Sequence, residues 1–87
     1  MTIQSIEPVS VSEEATVVGV NCAAFMIQNL SESAIVYMKE SAYDGAMATE
    51  NNGFAIFPGE TLDKVLRARQ LSLWAATNAE VRIMFLS

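Results

Sequence analysis

The chain has 87 residues, 52% of them apolar and only 17% charged, and a formal net charge of −5 with no histidine. A single domain of this size buries only about 60% of the surface its unfolded chain exposes, so this much apolar surface exceeds what one small core can hide. The acidic balance argues against a nucleic-acid partner, which would need clustered cations to displace counterions. The missing imidazole removes the usual general base near neutral pH and the commonest metal ligand.

The amino-terminal run Met1-Thr2-Ile3-Gln4-Ser5-Ile6-Glu7-Pro8 has neither the cationic start nor the apolar stretch of a secretory signal. The expectation is synthesis in the bacterial cytoplasm, with no signal peptide and no membrane association. Residues 1–8 read as a flexible arm in front of one domain spanning the chain. Val9 to Ser12 alternates apolar and polar and suits an edge strand beginning after Pro8, where the missing N–H does least harm. Glu13-Glu14 are the only adjacent acids. Strand neighbours point to opposite faces, so a solvated turn is the better reading for them than a proton-sharing pair.

Ala15 to Val20 is β-branched and strand-forming. Cys22, the only cysteine, cannot form an intramolecular disulfide and reads as a small buried hydrophobe. The segments 23–28 and 34–39 flank the polar stretch Asn29-Leu30-Ser31-Glu32-Ser33, which has hairpin length, so the two are expected to pair antiparallel. Asn29-Leu30-Ser31 fits a glycosylation acceptor but reads more simply as a turn. In the second segment Ile35 and Tyr37 share one face and Val36 and Met38 the other, so both faces need covering.

Ser41 to Gly53 is polar and small, a long loop ending in Asn51-Asn52-Gly53, where positive φ values are cheap. Its Asp44-Gly45 lacks the flanking oxygen ligands of a calcium loop. Phe54 to Phe57 forms a short strand that stops at Pro58 and Gly59, residues suited to the two central positions of a type II turn. Glu60 to Gln70 reads as one short strand plus a loop or single helical turn. Its Lys64, Arg67 and Arg69 form a cationic cluster beside Glu60 and Asp63, best read as solvated charge. Leu71 to Ala76 and Glu80 to Leu86 are expected to pair as a hairpin through Thr77-Asn78-Ala79, with the last strand central in its sheet. If Leu71 and Leu73 face the core, Trp74 and Ser72 face outward, where Trp74 would serve as an interface anchor or a sugar platform.

These elements predict an all-β fold: a single-domain antiparallel β-sandwich, jelly-roll or Ig-like, of about six to eight short strands. The four glycines match neither the dinucleotide nor the P-loop spacing, and a serine nucleophile would have only a lysine to activate it. No enzyme activity, cofactor or metal is expected. The aromatics are expected mostly in the core. The apolar excess falls on the second strand faces, giving Val36, Met38, Trp74, Met84 and Leu86 as candidate residues of a homo-oligomeric interface, dimer or trimer.

The order Ile27-Gln28-Asn29-Leu30-Ser31, Val36-Tyr37, Pro58-Gly59-Glu60, Leu73-Trp74-Ala75 and Val81-Arg82-Ile83 resembles that of small β-sandwich virion proteins of tailed bacteriophages. The resemblance covers roughly residues 15 to 86. It implies a capsid-decoration, head or tail-associated subunit, located in the virion, that self-assembles and docks onto other virion proteins. The alternative is a carbohydrate- or small-ligand-binding β module, in which Trp74 or Tyr43 stacks on a sugar.

Overall fold

The computed structural model describes the backbone of residues 3–22, 24–40, 47–62 and 68–86, and within these every side chain except those of 3–7, 20–22, 68 and 86. Eight strands run in chain order: β1 (Ile3–Val11), β2 (Thr16–Cys22), β3 (Ala24–Asn29), β4 (Val36–Glu40), β5 (Phe54–Ile56), β6 (Thr61–Leu62), β7 (Ala68–Ala75) and β8 (Ala79–Leu86). They form two antiparallel four-stranded sheets, β1-β8-β3-β6 and β2-β7-β4-β5. This order results from winding up one long antiparallel ribbon. The ribbon's four pairs, β1 with β8, β2 with β7, β3 with β6 and β4 with β5, are all present. The fold is therefore the jelly-roll form of the expected sandwich and not the Ig-like one.

Alternation along the strands builds the core between the sheets. Phe25 and Ile27 of β3 and Val81 and Ile83 of β8 face Val36, Met38, Ile56, Leu71, Leu73 and Ala75 of the other sheet, all buried. β8 is flanked by β1 and β3, the central position expected for it.

Both expected hairpins are instead crossings from one sheet to the other. β3 pairs with β8 and β6, whereas β4 pairs with β7 and β5; β7 and β8 likewise lie in different sheets. The reason at the first crossing is Asn29. Its fully buried side chain donates from Nδ2 to the carbonyls of Ala34 (2.8 Å) and Ile56 (2.9 Å), tying the end of β3 to the other sheet. Its Oδ1 accepts from the Ser31 N–H at 2.9 Å, and Ser31 Oγ accepts from Ser33 and Ala34. A side chain engaged in this way is no glycosylation acceptor, and the turn reading of the segment stands.

The amino-terminal residues also differ from expectation. Residues 3–8, read as an arm, belong to edge strand β1, and Pro8 lies where the β1–β8 register shifts between Ile6 and Val9. A bulge on an edge strand tolerates the missing N–H. Glu13 and Glu14 are exposed in the bend before β2, as expected.

Two glycines are used differently. Gly59 has φ +75°, and the Glu60 N–H donates to the Phe57 carbonyl at 2.9 Å, closing the expected turn at Pro58-Gly59. Gly53 does not take a positive φ. It is required by close approach, since a Cβ there would lie 2.9 Å from Tyr37 Cβ, 3.1 Å from the Met38 nitrogen and 3.2 Å from the Thr49 oxygen. Gly53→Ala is expected to cost about 1–3 kcal/mol, because backbone atoms must move. Gly19→Ala meets nothing within 4 Å and should stabilise by about 0.5–1 kcal/mol. Paired thermal melts followed by circular dichroism check both signs.

Candidate functional site

Residues directly opposite in register share a face, so the pairing determines what each sheet shows to the outside. On the β2-β7-β4-β5 sheet, Val36 and Met38 pair with Ala75 and Leu73 and point inward. Val36 is fully buried and Met38 3% exposed, so neither belongs to an outer interface. That placement corrects their assignment: both faces of this segment are apolar, and the set chosen as outward is the one the sandwich takes into its core. Tyr37 and Trp74 are the outward pair, half-buried, with ring centroids 5.8 Å apart and planes tilted by 53°.

Ser72 is on the same outer face as Trp74, as expected, yet it is fully buried. Its Oγ accepts from the Ala48 N–H at 2.8 Å and donates to Met47 Sδ at 3.6 Å. The segment entering β5 thus folds back over this sheet. Asn52 shapes it, accepting from the Thr49 N–H at 2.7 Å and donating to the Met47 carbonyl at 3.1 Å. Part of the second apolar face is therefore covered by the chain itself.

The β1-β8-β3-β6 sheet shows a different outer face. Met84 pairs with Met26, and Arg82 with Gln28. The two methionines are 39% and 37% exposed, so Met84 lies on the outer face; the side chain of Leu86 is outside the described residues. Larger apolar side chains are exposed along the edge formed by β5 and the residue after it, where Phe54 is 73% and Phe57 53% exposed. The aromatics were expected mostly in the core, and these two lie outside it. The signal that could have placed them is Pro58: a proline directly after a short strand marks a sheet edge, and an edge strand leaves one flank open.

Of the charged candidates, Arg69 is exposed, while Lys64 and Arg67 lie outside the described residues, as do Tyr43 and Asp44-Gly45 and the side chain of Cys22. Among the described residues no group of three or more histidine, cysteine or acidic side chains is placed to hold a metal, and no helix is long and apolar enough to cross a membrane.

One concavity lies where three crossings meet at an end of the sandwich. A cleft of about 560 Å³ is lined by Ser10, Val11, Ser12, Leu30, Ser31, Asn78, Ala79 and Glu80. The segments are tied to one another by backbone bonds, Leu30 N–H to the Glu80 carbonyl at 2.8 Å and Ala75 N–H to the Ser12 carbonyl at 3.1 Å. Beside them, Gly59 donates to the Asn29 carbonyl at 3.1 Å and Asn29 to that of Glu60 at 3.0 Å. No protein-family model matches the sequence, and no curated protein or solved structure matches it either.

Proposed function

We propose that the chain is a non-catalytic structural subunit of a bacteriophage or prophage virion, a capsid-decoration, head or tail accessory protein that acts by self-assembly and docking. The observation that carries the self-assembly is the exposure of Phe54 on β5 and of Phe57 directly after it. Two exposed phenylalanines on one edge of an acidic 87-residue chain are costly in water, and an identical copy packed on that edge removes them from it. The wound-ribbon strand order is common among viral capsid domains, and it supports the virion role by fold-level analogy alone. The absence of histidine from the sequence is in keeping with a subunit that assembles and does not catalyse.

Light scattering on the purified chain should give a mass above that of one subunit. The double variant Phe54→Ser/Phe57→Ser should shift it toward the monomer while keeping the parent's β-sheet circular dichroism, the thermal midpoint falling only by what the lost association contributed. Met26→Ser/Met84→Ser should leave the mass unaltered if the β5 edge is the contact. A monomeric wild type at all concentrations would overturn the self-assembly. Particles of the encoding phage or prophage should contain the chain, and its absence from them would sink the virion role separately.

A further inference from the structure

We infer that the cleft at the loop end is a binding site for a neutral saccharide, a role independent of the β5 edge. Its volume, about 560 Å³, lies within the usual range of small-molecule sites, roughly 300–1,000 Å³. Its walls are formed in advance, because backbone bonds join the β1–β2, β3–β4 and β7–β8 segments around it. A ligand therefore meets little ordering cost there.

The chemistry of the lining selects the ligand. Ser12 Oγ accepts from the Glu14 N–H, and Ser31 Oγ accepts from Ser33 and Ala34, so each hydroxyl has its proton left to donate. Asn78 and Glu80 are exposed and add an amide and an acceptor carboxylate. The lining holds one carboxylate and no cationic side chain, which disfavours phosphate, sulfate and acidic sugars. A single carboxylate, with the Glu80 and Ser12 carbonyls already engaged, is likewise a poor cage for a divalent cation. Leu30 is half-buried and offers apolar surface for C–H groups, whereas Val11 and Ala79 belong to the core and present almost none to the cleft. Hydroxyl donors, a carboxylate acceptor and the apolar surface of Leu30 together match a ligand whose hydroxyls both donate and accept while its ring presents C–H. A neutral sugar has that pattern.

The test is saturation-transfer NMR on the full chain with neutral gluco-, galacto- and N-acetylglucosamine di- and trisaccharides, run beside methyl phosphate, whose C–H protons report binding, and an uncharged extended peptide. Transfer from at least one saccharide and none from methyl phosphate is expected. Glu80→Gln should weaken that saccharide about tenfold, the loss of one charge-assisted hydrogen bond, and Asn78→Ala should weaken it as well. Both side chains are exposed, so thermal midpoints should match the parent. The Phe54→Ser/Phe57→Ser variant should bind as the parent does, separating this site from the association edge. Absence of transfer from every saccharide, binding undiminished in both cleft variants, or transfer from the peptide alone would overturn the inference.

Discussion

Asn29→Ala should lower the stability of this domain by about 3–5 kcal/mol, a large share of the roughly 5–15 kcal/mol that small domains possess. The side chain is fully buried and makes three hydrogen bonds, donating to Ala34 and Ile56 and accepting from Ser31. Alanine would strand two buried carbonyls and one N–H, each worth about 1–3 kcal/mol when unsatisfied. Thermal denaturation would record the loss as a midpoint drop of well over ~10 °C. A drop of a few degrees would mean that Asn29 does not hold the crossing.

Asn29→Asp gives a sharper result through its pH dependence. An ionised carboxylate cannot donate to the two carbonyls it would face, whereas the protonated acid can donate to one of them. Burial and the carbonyl dipoles raise the folded-state pKa of the introduced acid above its unfolded value of about 3.9. The variant is accordingly best tolerated below the unfolded value and loses stability as pH rises through the folded one. Melts at acid and neutral pH should show Asn29→Asp gaining on Asn29→Ala as pH falls.

Leu73→Ala should cost about 2–5 kcal/mol, the loss of a fully buried leucine together with the cavity it leaves. Its neighbour Trp74 is the larger side chain but is only half-buried on the outer face against Tyr37. Trp74→Ala should therefore cost less, about 1–2 kcal/mol. Urea unfolding of the two variants checks the order. A reversed order would mean that the outer face of this sheet is buried by something beyond the protomer.

Although the first part of β1 was read as an arm, most strands were readable from alternation and turn residues. So were the inward Leu71 and Leu73, the outward Trp74 and Ser72, the turn at Pro58-Gly59 and the central place of the last strand. Strand pairing was not, because a polar five-residue connection serves equally for a hairpin and for a crossing. What decides between them is where the Asn29 amide finds its acceptors, and these lie 5 and 27 residues away in the chain. Val36 and Met38 were misplaced for a related reason: a period of two separates the faces of a strand without saying which goes inside when both are apolar. Phe54 and Phe57 were missed because an apolar run shows hydrophobicity and not position in the sheet. The loop-end cleft is built from residues as far apart as Ser10 and Glu80, and only the winding of the chain brings them together.

The wound ribbon also dictates an order of events during folding. Among the described residues, β4 and β5 are the only strands consecutive in the chain that pair with each other; every other pairing joins more distant segments, out to Ile3 against Leu86. Loop closure must precede each reward, so acquisition of the native state belongs to the slow range of small domains, about milliseconds to seconds. A nascent chain still lacking β8 has β1 and β3 without the strand that joins them. Until β8 leaves the ribosome, half the sandwich is an unfilled template for strands of other chains, and the interval before β8 emerges is when misassembly is most probable.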